Sequence, residues 1–248
     1  MSLNLILPLA SSLVMFIFTV YVLQRYYSRR KLYFLFWGLG LAMFGIASLS
    51  EVFLAVKWNR WVFFSWYLFG AILTAAWIGQ GTVYLLVRKR RSQILAVILI
   101  TASIVALFML LGVMPDLDEG IFTTSEPIGE QYRDILPAIS DGGYVRLSTI
   151  FFNIYGTITL VGGALYSTFL FWRKRVLPNR AIGNILIAVG ALTIASASTL
   201  TRLGYGSLLY LGELLAAILM FSGFLIAAAP KRSLVEDESK PSAAPTGQ

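Results

Sequence analysis

Apolar residues run along this chain in seven long blocks separated by short polar breaks. The blocks are Leu3–Leu23, Tyr33–Val56, Trp61–Val87, Ile94–Met114, Leu147–Trp172, Ala181–Thr201 and Ser207–Ala229. At 1.5 Å per residue, each is long enough for a helix to cross a hydrocarbon core of about 30 Å. A backbone in hydrocarbon must satisfy its own hydrogen bonds, so blocks of this kind are expected to be helices. The expected fold is an all-α integral membrane protein, a seven-helix bundle spanning about residues 1–230. Only two regions are polar enough to lie fully in water. One is the acidic segment 115–146, whose Glu126–Leu136 stretch is expected to form a short helix over the bundle. The other is the tail 231–248, rich in Ser, Pro and charge and expected to be disordered.

The breaks differ sharply in charge. Arg25, Arg29, Arg30 and Lys31 follow the first block; Arg88, Lys89, Arg90 and Arg91 follow the third. Arg173, Lys174, Arg175 and Arg180 follow the fifth, and Lys231, Arg232 and Lys240 follow the seventh. Fifteen of the 20 basic residues thus fall on one side, against Lys57, Arg60, Arg133, Arg146 and Arg202 on the other. Basic connections stay cytoplasmic, so the N-terminus is expected outside and the C-terminus inside. The first block lacks a basic flank before it and carries arginines after it, as a retained anchor does and a cleaved leader does not. Trp58, Trp61 and Trp66 at one surface and Phe171 and Trp172 at the other fit interfacial aromatic belts. The net charge of +8 therefore reads as orientation and contact with the lipid bilayer, and nucleic acid is not an expected partner. A short, loop-poor chain without cysteine suits a prokaryotic inner membrane.

Composition narrows the chemistry. The chain is 58% hydrophobic and 13% charged, with no His and no Cys. Disulfides, thiolate nucleophiles, the usual zinc sites and the common haem ligands are thereby removed, together with the commonest general acid–base near neutral pH. No Asp falls inside a block, and the one lysine away from the basic side, Lys57, lies in a connection. Gly79-Gln80-Gly81 sits within a spanning helix with no strand before it, which removes a phosphate-loop reading. No catalytic residue, metal site or cofactor is expected. The seven-span layout is shared by unrelated receptors, opsins and transporters, so layout alone carries no function.

Blocks one to three and five to seven have the same orientation, with block four as connector. Ile46–Ser50 matches Ile194–Ser198 at four of five positions, an offset of 148 residues. Tyr67-Leu68-Phe69-Gly70 followed by Gly81 parallels Tyr210-Leu211-Gly212 followed by Gly223, an offset of 142. These matches suggest an internal 3+1+3 duplication, two three-helix units with a cavity at their interface.

Of the 12 acidic residues, only Glu51 and Glu213 fall inside blocks. A carboxyl group at membrane depth is costly and by default a functional candidate. Counted at 1.5 Å per residue, both lie about 8–9 Å below the same surface. Arg202 is the expected partner of Glu213, and Lys57 or Arg60 that of Glu51. Tyr67 and Tyr210 share their depth. Gln80, Asn153, Asn184, Tyr155 and Tyr166 are expected to serve as interhelical glue. Two functional readings remain open at this point. One is a small carrier or ligand-binding permease, with an outward polar pocket of Glu51, Glu213, Arg202, Tyr67 and Tyr210 taking a small polar or cationic ligand. The other is a non-catalytic sensor, scaffold or accessory subunit that meets a protein partner at the acidic segment.

Overall fold

A computed structural model of the chain describes residues 3–173, 178–201 and 207–228. Arg202 and the tail from Lys231 onward lie outside the described residues. Among the described residues eight helices carry the fold: α1 (Leu3–Arg29), α2 (Leu32–Leu54), α3 (Arg60–Leu86), α4 (Lys89–Val113), α5 (Ile128–Ile135), α6 (Val145–Arg173), α7 (Pro178–Thr201) and α8 (Ser207–Ala228). All except α5 are long and apolar enough to cross a membrane, and the chain is an integral membrane protein.

Local chemistry sets several of the boundaries. Asn59 caps α3: its side-chain oxygen accepts from the backbone N–H groups of Trp61 and Val62 at 2.9 and 3.1 Å. α1 closes where Arg30 turns into the left-handed region at φ 51° and its N–H bonds the Tyr26 carbonyl. Two of the long helices are not uniform. α3 widens into a π-helical stretch at Trp66–Leu73 and α6 at Ile158–Gly162. Such insertions re-aim the side chains that follow them.

Six helices close a ring in the order α1, α2, α3, α6, α7, α8 and back to α1, while α4 packs outside against α3 and α6. The outward side chains of α4, among them Ile94, Val97, Ile104 and Phe108, are exposed, as a lipid-facing surface should be. At one end of the ring, which we call the loop end, residues 114–144 fold down over the helix termini. Gln131 stitches this segment together, donating to the carbonyls of Thr123 (2.9 Å) and Glu126 (2.7 Å) and accepting from the Thr123 N–H. Arg146 donates to the carbonyls of Arg133 and Leu136 at the end of α5, and Arg60 Nε meets Glu119 at 2.6 Å. The expected short helix is therefore present, as α5, and its Tyr132 lies against Trp66 and Tyr67 of α3.

Lipid tails are as apolar as the helices, so helix pairs here depend on close backbone approach and van der Waals contact. Glycines mark those approaches. A methyl group placed on Gly156 of α6 would fall 2.4 Å from the Ala75 backbone of α3, and one on Gly183 of α7 would fall 2.4 Å from the Gly223 carbonyl of α8. Three approaches between α2 and α3 have counterparts between α7 and α8. Gly40 meets Ile78 as Gly190 meets Met220; Ala47 meets Gly70 as Ala197 meets Gly212; Trp37 meets Gly81 as Ile187 meets Gly223. In each case the α2 residue precedes its α7 counterpart by 150 positions and the α3 residue precedes its α8 counterpart by 142. Packing thus keeps the offset of 142 expected from the glycines. It shifts the α2–α7 register by two residues from the offset of 148 suggested by the Ile46–Ser50 match.

A large side chain at one of these approaches should be costly. Gly156→Leu is expected to lower stability by about 1–3 kcal/mol through overpacking. Gly112→Leu, on the exposed side of α4 with nothing within 4 Å, should leave it nearly unchanged. Thermal melts of both variants in lipid nanodiscs check the contrast.

Candidate functional site

Glu51 and Glu213 meet in the interior of the ring near its loop end. Glu51 is 1% exposed and Glu213 8% exposed, and their carboxyl groups lie within hydrogen-bonding reach of each other. Two side chains, one on α2 and one on α3, build the surroundings. Ser48, one helical turn before Glu51 on the same face, donates to Glu213 Oε2 at 3.5 Å. Trp66, at the start of the π-helical stretch of α3, donates its indole N–H to Glu51 Oε1 at 2.9 Å. Glu51 Oε2 receives no donor from any described residue.

This arrangement corrects the partners expected from the sequence. Arg60 reaches away from the membrane-spanning part of the ring to Glu119, the one ion pair among the described residues, and Lys57 is exposed beyond the end of α2. The helix ends at Leu54 and the next residues turn back, with the Ala55 and Lys57 N–H groups bonding the Glu51 and Phe53 carbonyls. That turn carries both cations away from the carboxyl group. The expected contact of Arg202 with Glu213 lies outside the described residues.

The two tyrosines have different places. Tyr210 is 2% exposed, shares a crevice with Glu51, and has its hydroxyl within reach of the Ile128 backbone at the start of α5. Tyr67 is fully buried in an aromatic cluster with Phe63, Trp66 and Tyr132, beside the donor to Glu51. The crevice lies between the helix ends and the segment above them, with Asn4, Thr124, Glu126 and Ile128 among its walls. Its volume is about 10 Å³, room for one water molecule. The expected open pocket is thus a narrow passage roofed by the acidic segment.

Gln80, Tyr155 and Asn153 act as the glue expected of them, whereas Tyr166 and Asn184 make no hydrogen bond with any described residue. Gln80 donates to the Ser92 carbonyl of α4 at 2.9 Å and accepts from the Tyr155 hydroxyl of α6, tying three helices together. Asn153 donates to the Ala71 carbonyl at 2.8 Å. Tyr166 is exposed on the outer side of α6. Trp66 and Ser48 were not among the expected site residues. Ser48 was legible, because a hydroxyl three positions before a buried glutamate shares its helix face. Trp66 was not, because its aim depends on the π-helical turn.

The chemistry available to this site follows from desolvation. Two carboxylates pressed together away from water repel strongly, and a positive charge held between them, as a shared proton or a cation, removes the repulsion. Comparison of the chain with protein-family models, characterised proteins and solved structures finds no match.

The hydrogen bonds make separate demands on stability. Trp66→Phe keeps the ring but leaves Glu51 without its N–H donor and should destabilise by about 1–3 kcal/mol. Ser48→Ala removes a longer contact and is expected to cost less than half as much. Melting of the two variants side by side reads the difference.

Proposed function

We propose that this chain is a small membrane carrier or ligand-binding permease whose Glu51–Glu213 pair takes up a proton or a small cation from the loop end. The observation that carries the reading is the meeting of two carboxyl groups, one from the first three spans and one from the last three, in the ring interior beneath a water-sized crevice. A pair that served packing alone would be cheaper as two apolar residues. A pair that must hold a positive charge, and can exchange it through the crevice, gives that cost a use.

Two further features support a carrier. The paired contacts of α2–α3 and α7–α8, at constant offsets, favour a 3+1+3 duplication, with the ring closed where α3 meets α6 and α8 meets α1. Carriers built from such repeats move one half against the other around a site between them. The distribution of basic residues favours the N-terminus outside and the C-terminus in the cytoplasm, which makes the loop end the outer one.

A second reading, an accessory or sensory subunit, is favoured by one observation. Ile121, Ile139 and Tyr144 stand exposed on the segment that roofs the crevice, beside exposed Arg133 and Asp134. A mixed surface of this kind suits a protein partner.

The carrier reading makes a direct prediction in liposomes. The reconstituted chain should move protons or monovalent cations down an imposed gradient, followed with a trapped pH dye or cation-sensitive dye. Glu51→Gln and Glu213→Gln should each reduce that flux by about tenfold or more while insertion and melting are retained. Unchanged flux in both variants would exclude the reading. Orientation is tested separately, because a chain without cysteine accepts single-cysteine labelling cleanly. Ser125→Cys should react with a membrane-impermeant maleimide on intact cells, and Arg90→Cys only after lysis; the reverse pattern contradicts the proposed orientation.

A further inference from the structure

A second, larger cavity lies in the other half of the ring. Its volume is about 60 Å³, and it is separated from the carboxyl pair by a buried apolar layer that includes Phe44 and Ala217. On α2 it begins at Leu41, seven residues from Ser48; on α8 it begins at Met220, seven residues from Glu213. All six ring helices contribute walls, and several do so in matching positions. Phe18 and Val22 of α1 face it as Leu160 and Ala164 of α6 do, each 142 residues on, and Ile78 of α3 faces it as Met220 of α8 does. Leu160 belongs to the π-helical stretch of α6, so the widened turn shapes this wall as the one in α3 aims Trp66.

The polar groups here are few, and they are unevenly used. The Trp37 indole N–H is occupied by the Thr82 hydroxyl at 3.4 Å. Ser167 and Asn184 line the cavity yet make no hydrogen bond with any described residue. Ser167 is 6% exposed, so its hydroxyl looks into the cavity and not into bulk water. The buried Ser167 hydroxyl, left open in an apolar chamber, loses a hydrogen bond's worth of stability unless something enters to meet it, and the half-buried Asn184 amide offers a second polar contact on the same wall. Among the described residues no charged side chain lines the chamber, which disfavours an ion. At about 10–15 Å³ for each water-sized sphere, the space suits about four to six non-hydrogen atoms.

We infer that this cavity is a binding site for a small uncharged molecule with a compact apolar body and one amide or hydroxyl head, the head facing Ser167 and Asn184. The site is distinct from the carboxyl pair and stands without it. Within the carrier reading, it supplies the substrate class that the pair alone does not name.

The test uses the full chain in lipid nanodiscs with isobutyramide as probe, followed by saturation-transfer NMR, with empty nanodiscs as background. A ligand of this size binds weakly, on the order of millimolar. Saturable transfer is expected in the native chain. It should be lost in Ala164→Leu, which fills the chamber, weakened about tenfold in Asn184→Ala, and kept in Glu51→Gln. Transfer that fails to saturate, or that matches empty nanodiscs, means partition into lipid and overturns the proposal. Binding unchanged in both Ala164→Leu and Asn184→Ala does the same. Should Ala164→Leu fail to assemble, Val22→Ala enlarges the chamber instead and should improve binding of the bulkier pivalamide relative to isobutyramide; an unchanged ratio overturns the proposal. Because Glu51→Gln is read in the same experiment, loss of this site and loss of the carboxyl-pair reading remain distinguishable.

Discussion

Helices in a bilayer gain little by hiding apolar surface from one another, and the bundle depends on how closely their backbones can approach. That constraint explains where the glycines fall. Gly156 against Ala75, Gly183 against Gly223 and Gly40 against Ile78 bring helix axes together at points where a side chain has no room. Everything polar in the interior then hangs on this frame. Gln80 reaches both Ser92 and Tyr155 because α3 lies close to α4 and α6 at once. Glu51 and Glu213 touch because their two helices are brought to face each other across the ring, although they belong to opposite halves of the chain.

Within that frame, the loop end keeps two carboxyl groups dry. Trp66 and Ser48 give each group one donor, too few to replace water around two anions. The roof formed by residues 114–144, held by Gln131, Arg146 and the Arg60–Glu119 pair, leaves a crevice of about 10 Å³ beside Glu51. Closure of this kind keeps the local dielectric low, which makes any charge entering between the carboxyl groups count strongly. The opposite half of the ring has a different character, apolar and uncharged, with two unmet polar groups. Two chemically distinct cavities therefore lie in the bundle, separated by about two turns of α2 and α8.

Much of the frame was legible in the sequence, because a bilayer permits few solutions. Seven apolar blocks gave seven helices, most ends within three residues of those expected while α1 runs on to Arg29 and α4 already starts at Lys89, and the stretch Glu126–Leu136 gave α5. The isolation of Glu51 and Glu213 in otherwise uncharged blocks was enough to single them out. Their partners were not legible. Arg60 was the nearest cation in sequence to Glu51, but the turn after Leu54 carries it to Glu119, and Trp66 arrives through a π-helical widening that no periodicity announces. The offset of 142 survives in the packing of Gly70, Gly81, Gly212 and Gly223, whereas the five-residue match at 148 gives way to a packing register of 150. Small residues recur so often in membrane helices that a short match can fall two residues away from the packing register, where only Ala47/Ala197 and Ser48/Ser198 still agree. The apolar cavity had no signature at all, since its walls come from six helices and its polar groups, Ser167 and Asn184, resemble ordinary glue.

The central claim is that Glu51 and Glu213 act as one unit holding a single positive charge between them. Infrared spectroscopy of the lipid-embedded chain, in a buffer whose only cations are too bulky to enter the crevice, tests this most directly. The account predicts a carbonyl band of a protonated carboxyl group that is lost or shifted in Glu51→Gln and in Glu213→Gln alike, because one proton serves both. A spectrum with no such band, or one that neither substitution alters, would contradict it.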